Sequence, residues 1–220
     1  MKYRAAIFDL DGTLIDSTWV WVEIYKRFCA EFKIERNHDL RKTMHMPPTE
    51  CCTKIKSIYG LKQSVEDLKH IFCEIAMEFY SKKVELKPGV LQLLNLLKND
   101  EVLLCLATSN FVKISEFILR KHRIIDYFQA FSYSDELGVN KKSAIIYLKS
   151  AEKIKINPEN CVVFEDIADP LFDVKAVKMG YVGVKDDCQS EEVREKLKNY
   201  SDCFIENYQD FIKNDYSEFF

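Results

Sequence analysis

The chain has 220 residues and a formal net charge of −3, with 32 Lys and Arg against 35 Asp and Glu. That length supports one substantial core, or a core with a small second lobe, and 47% hydrophobic beside 30% charged residues excludes a disordered chain. The near balance of charge leaves no basic footprint for nucleic acid, and no apolar run approaches the roughly 20 residues of a membrane span.

The first predicted element is a buried strand. Ala5 to Phe8 is a short apolar run leading into Asp9; Asp11 follows two places later, and Gly12 opens a turn. A strand starting this close to Met1 leaves no room for a signal peptide. Ligands of open α/β sheets gather outside the carboxyl ends of the strands. Two carboxylates projecting there repel each other unless a cation neutralises them, so the pair asks for a hard, oxygen-preferring metal such as Mg2+. As an ordinary strand exit, the same Asp-Leu-Asp-Gly would carry no chemistry.

The periodicity then becomes helical. Trp21, Ile24, Tyr25, Phe28 and Phe32 recur at helix spacing, Pro47-Pro48 breaks the chain, and a helix over 49–59 closes at Gly60. Ser64 can cap another helix, with Glu66 and Asp67 in its first turn and Leu68, Ile71, Phe72, Ile75 and Phe79 along one face. No strand is predicted between about 18 and 83. From Lys87-Pro88-Gly89 onward helices and strands alternate: helix 89–98, strand 102–107, helix 112–122, strand 128–132, helix 142–153, strand 161–164 and a helix ending at Gly180. Strand 181–184, a helix near 190–199, a short strand at 203–205 and a final short helix follow. Such alternation predicts a parallel sheet covered on both faces. Of eight cysteines, Cys105 and Cys161 fall in predicted buried strands, and adjacent Cys51 and Cys52 suit neither a bridge to each other nor a zinc knuckle. Reduced thiols in a cytoplasmic protein are the expectation.

The segment FDLDGTLIDS resembles the first motif of the haloacid dehalogenase-like (HAD) superfamily of phosphotransferases, and later segments match its other motifs at suitable distances. The resemblance spans the whole chain and is similar in layout to the β-phosphoglucomutase-like branch. It implies an α/β fold: a doubly wound parallel sheet, Rossmann-like, over residues 1–16 and 85–220, with an α-helical cap inserted at 17–84.

The resemblance also implies roles. Asp9 would be the nucleophile, forming an aspartyl-phosphate. Asp11 would protonate the leaving alcohol and then activate water, while its backbone carbonyl reaches the metal; dehalogenases of the superfamily lack this second Asp. In LLCLATSN, the Thr108 hydroxyl and the amides of Ser109 and Asn110 would hold phosphate oxygens. Lys141 occupies the place of the motif lysine, with Lys142 as the alternative, but the usual prolines and Asp are missing there. In CVVFED, Asp166 would ligate Mg2+ directly, with Glu165 nearby or bridging through water. The following IADPLFD departs from the usual Ser and Gly turn, and Asp169 could assist there. In the cap, His45 stands where relatives often have Gly; it could touch substrate or be a surface histidine. Trp21 replaces a histidine of the β-phosphoglucomutases, and Trp19 and Trp21 read as packing between cap and core.

The implied function is a Mg2+-dependent phosphatase for a small phosphorylated molecule. It would be cytoplasmic, monomeric or weakly homodimeric, and free of nucleic-acid or membrane partners. A phosphomutase acting on a sugar phosphate is the alternative enzyme, and a non-catalytic HAD-like binding protein the alternative outside enzymology.

Overall fold

In the computed structural model, which describes residues 2–35, 43 and 46–220, six parallel strands form one sheet in the order β3-β2-β1-β4-β5-β6. They are β1 (Ala5–Phe8), β2 (Leu103–Thr108), β3 (Ala130–Tyr133), β4 (Cys161–Glu165), β5 (Gly180–Val184) and β6 (Cys203–Ile205). The chain starts in the middle, steps outward through β2 and β3, then crosses to β4 on the other side of β1. The crevice at such a reversal is where doubly wound sheets bind ligands, and Asp9 stands at its centre.

Period-two alternation sorts the strand side chains onto two faces. Ala5, Ile7, Cys105, Ala107, Cys161 and Val163 face one layer, which contains Ile146 and Tyr147 of α7 (Ile145–Lys153) and Leu171 and Val174 of α8 (Leu171–Ala176). Ala6, Phe8, Leu104, Leu106, Val162 and Phe164 face the other. That second layer draws on α4 (Val90–Asn99), α5 (Val112–Lys121) and α10 (Tyr208–Asn214), and it continues into the helices that precede β2. Phe8 and Phe164 stack across it with ring centroids 4.5 Å apart. Burying each ring contributes roughly 1.5–3 kcal/mol.

Between β1 and β2 the described residues hold only helices: α1 (Thr18–Glu31), α2 (Pro48–Tyr59), α3 (Val65–Lys83) and α4. Proline at the first turn starts α2, and Gly60 ends it in the left-handed conformation. Ser64 and Asp67 form a reciprocal capping box on α3. α1 and α2 both pack on α3, which in turn meets α5. Two backbone bonds tie the segments flanking this unit: the Asp16 amide to the Glu85 carbonyl and the Lys87 amide to the Leu14 carbonyl, each 3.0 Å.

Several boundaries differ from the predicted ones. α7 starts at Ile145, not at Lys142, because the Asn140 carboxamide accepts the Lys142 amide at 3.0 Å and holds that stretch in a turn. The helix expected to end at Gly180 stops at Ala176; Lys178 takes a left-handed φ of 66°, and Gly180 is already in β5. β3 begins at Ala130 because residues 125–127 form a 3-10 turn. A short α6 (Ser134–Leu137) went unanticipated, and the final helix divides into α10 and α11 (Tyr216–Phe219), with α9 (Glu191–Tyr200) between β5 and β6. No helix among the described residues is long and apolar enough to cross a membrane, and none of the eight cysteines is bridged.

Candidate active site

Asp9 leaves the carboxyl end of β1, its amide donating to the Phe164 carbonyl at 3.0 Å, and the residue is 5% exposed. Lys141, 4% exposed, donates to Asp9 Oδ1 and also pairs with Glu165 Oε1. Lys142 is exposed, so the structure brings Lys141 and not its neighbour to the strand ends. Asp9, Glu165 and Asp166 each offer a carboxylate oxygen within 4.8 Å of the others.

Gly12 makes that convergence possible. Its φ is +82°, and a Cβ there would lie 2.5 Å from Asp166 Oδ2 and 2.8 Å from Thr18 Cγ2. Only glycine offers both the left-handed turn and the space for the carboxylate. The loop after β4, whose sequence departs from the motif, is held by other means. Tyr181 donates its hydroxyl to the Ile167 carbonyl at 2.6 Å, and Gln189 Nε2 donates to the Asp166 carbonyl. Asp169 is exposed and outside the acidic cluster.

The three carboxylates are not equivalent. Glu165 Oε1 accepts from Tyr147 at 2.8 Å as well as from Lys141, and Oε2 accepts the Asp166 amide at 2.8 Å. Burial would raise its pKa, but Lys141 and Tyr147 hold it below the ordinary range. Among the described residues the Asp166 carboxylate receives only the Thr13 hydroxyl, at 3.3 Å; burial and the charges of Glu165, Asp9 and Asp186 drive it well up. Burial likewise pushes Asp9 up to about 8, with Lys141 opposing and Glu165 and Asp11 adding to the rise. Lys141 is raised because its two carboxylates outweigh its own burial. When all three are ionised, three carboxylates against one ammonium leave two negative charges uncompensated in a buried, all-oxygen cluster. These residues therefore fit a hard divalent cation, with Asp9 and Asp166 less committed to other partners than Glu165.

The Asp11 carboxylate is directed elsewhere. It accepts from Ser17 Oγ at 2.6 Å, Asn110 Nδ2 at 2.8 Å and the Tyr80 hydroxyl of α3. Asn110 is thereby spent: its carboxamide serves Asp11, Tyr80 and the Phe111 amide, and its own amide donates to Thr108 Oγ1 at 3.0 Å. Thr108 accepts that bond, which leaves its hydroxyl hydrogen to aim at an anion. The Ser109 side chain pairs with Ser134 Oγ at 2.9 Å, and its backbone amide remains for a phosphate oxygen.

His45 lies outside the described residues. Trp19 and Trp21 are half-buried and pack against the core as expected, but Trp21 also lines the cleft above the acidic cluster. Sequence reading missed Tyr80, although Leu68, Phe72, Ala76 and Tyr80 follow one another at helical spacing of four and are all buried. It also missed Asp186, which accepts the Thr18 hydroxyl at 2.6 Å and pairs with Lys87 at 3.2 Å. No local pattern announces that long-range triad.

The parallel sheet with acids and a lysine at its central strand ends defines a phosphoryl-transfer type of site. A sequence model described as haloacid dehalogenase-like hydrolase matches residues 6–184, and the chain belongs to that family. Among curated relatives, a phosphorylated carbohydrates phosphatase of Thermotoga maritima is 31% identical over 164 residues, covering 74% of this chain and 76% of its own length. A β-phosphoglucomutase of Bacillus subtilis is 27% identical over 189 residues, covering 82% and 83%. The crystal structure of a β-phosphoglucomutase from Clostridium difficile superposes with a TM-score of 0.79 at 19% identity, covering 99% of this chain and 98% of the other. That likeness places the fold with the β-phosphoglucomutase-like branch.

Proposed function

We propose that the protein is a Mg2+-dependent phosphatase that hydrolyses a small phosphomonoester through a phosphoryl group carried on Asp9. The observation that carries this reading is the buried Asp9–Lys141 pair at the end of β1, within reach of the Asp166 carboxylate. Lys141 orients one Asp9 oxygen, so the other is the natural nucleophile toward phosphorus. The ammonium also offsets negative charge on the phosphoryl oxygens, and the Thr108 hydroxyl and Ser109 amide point a neutral pair of donors at them. Asp11 supplies the proton to the departing alkoxide oxygen and later takes one from the attacking water. Its contacts to Ser17, Tyr80 and Asn110 hold it on the cap side of Asp9, where a leaving group would lie. Mg2+ bound by Asp9, Asp166 and the Asp11 carbonyl, with Glu165 direct or through water, would supply the positive charge that the cluster lacks.

The division of labour that goes with this mechanism is a core of residues 1–16 and 85–220 and a cap of 17–84, pivoting where the backbone of 14–16 bonds that of 85–87. Asp9→Asn tests the reading: Mg2+-dependent phosphate release should vanish while circular dichroism is unchanged. Persistence of turnover would refute it, and absence of turnover in the wild type on a broad phosphate panel would favour a binding protein. The relationship to the Bacillus subtilis mutase supports a second reading, transfer of the phosphoryl group back to a sugar phosphate. Slow phosphoenzyme hydrolysis with a bisphosphate requirement would reveal it.

A further inference from the structure

The cleft over the acidic cluster has a wall of unusual chemistry. Trp21 and Tyr25 of α1, Phe72 of α3, Met46 and Phe111 line it, and among the described residues no charged side chain of α1, α2 or α3 does. Among the described residues, every charge in the lining belongs to Asp9, Asp11, Lys141, Glu165 or Asp166. The hydroxyls of the wall are already engaged. Thr18 donates to Asp186 at 2.6 Å, and the Tyr25 hydroxyl lies 2.6 Å from Thr43 Oγ1 and 3.0 Å from Cys51 Sγ. The rings are also fixed in place: Phe72 is stacked on Phe28 at 4.2 Å and edge-on to Tyr25 at 5.5 Å, and Trp21 sits edge-on to Tyr80 at 6.4 Å.

From this we infer that the leaving group selected by the cleft is an aromatic or comparably flat apolar one, seated against Trp21 and Phe72, and not a polyol. The inference rests on the phosphatase reading and names the substrate class of that same site. A ring gains from burial and from offset or edge contacts with fixed aromatic faces. A polyol chain must surrender several water hydrogen bonds to a wall whose Thr18, Tyr25 and Thr43 hydroxyls already have partners, and unpaired hydroxyls lose affinity. The indole N–H of Trp21 is one side-chain donor in that wall with no partner among the described residues, enough for a single acceptor on the ring. The pocket is continuous with Asp9 and Lys141, so a phosphate bound at the strand ends places its ester oxygen at the foot of the aromatic wall.

Benzyl phosphate and sorbitol 6-phosphate have leaving oxygens of the same alkyl class, so their comparison reports the wall and not bond strength. With Mg2+ present, kcat/KM for benzyl phosphate should exceed that for sorbitol 6-phosphate by at least about tenfold, mostly through KM. Trp21→Ala should raise KM for benzyl phosphate about tenfold and narrow the ratio of the two. Calorimetry on the wild type needs no variant: benzylphosphonate should bind at least about tenfold more tightly than methylphosphonate. Equal phosphonate affinities, or faster turnover of sorbitol 6-phosphate, would overturn the aromatic assignment and leave the phosphatase reading standing. A clear preference for benzylphosphonate with neither ester hydrolysed would support the wall and refute the phosphatase reading.

Discussion

The floor and the wall of the cleft are built on opposite principles. The floor gathers Asp9, Glu165 and Asp166 from the ends of β1 and β4 and Lys141 from the turn before α7, buries them almost completely and leaves negative charge in excess when the carboxyls are ionised. The wall comes mostly from the stretch between β1 and β2, joined by Phe111 just after β2, with rings packed on rings and the Thr18, Tyr25 and Thr43 hydroxyls already partnered. A charged floor costs stability and supplies chemistry; a satisfied wall costs little and supplies selection. Substitutions in the two regions should therefore fail in different ways.

The largest effect falls on the floor's nucleophile: Asp9→Asn should lower turnover by at least about ten-thousandfold, read as phosphate release. Next is Asp11→Asn, expected to slow turnover about a hundred- to ten-thousandfold while Mg2+ affinity measured by calorimetry holds, because its ligand would be the carbonyl. Full activity in that variant would remove Asp11 from acid–base work. Asp166→Asn should raise the Mg2+ concentration needed for half-maximal activity, and an unchanged requirement would point to another ligand. The smallest change is the roughly tenfold shift in KM expected from the wall at Trp21.

The floor also has a signature in stability. Asp9 is raised in the folded state to about 8, and Asp166 is raised as well. A carboxyl with a raised folded pKa contributes stability that is complete below its ordinary unfolded value and lost as pH climbs through the folded one. In chelator the melting temperature should accordingly fall as pH rises from about 4 toward 8. Addition of Mg2+ at the alkaline end should restore the loss, and Asp166→Asn should shrink it. A melting temperature that is flat or rises over that range without metal would contradict the charge imbalance.

Much of the floor was legible because each group sits at the end of an apolar strand run or in a motif place: Asp9 after Ala5 to Phe8, Asp166 after Cys161 to Phe164, Lys141 two residues past Val139. Motif position favoured Lys141 over Lys142, but the Asn140 turn that goes with Lys142 facing outward is encoded in no periodicity. Asn110 shows the opposite limit. Its place suggested a phosphate contact, yet its amide is bonded to Thr108 and its carboxamide serves Asp11, Tyr80 and Phe111, and only coordinates reveal partners so distant in sequence. The wall was least legible. Trp21 and Phe72 have ordinary core spacing, and nothing local separates a ring that faces the cleft from one that faces a neighbouring helix.

Rapid quench of the wild type with a turning-over phosphomonoester, followed by peptide mass analysis, tests covalent chemistry at the floor most directly. One phosphoryl group should appear, acid-stable and alkali-labile, on the peptide carrying Asp9, and it should be absent from Asp9→Asn. Turnover with no phosphorylated Asp9 at any quench time, or with the label on another residue, would contradict the nucleophile assignment on which the mechanism stands.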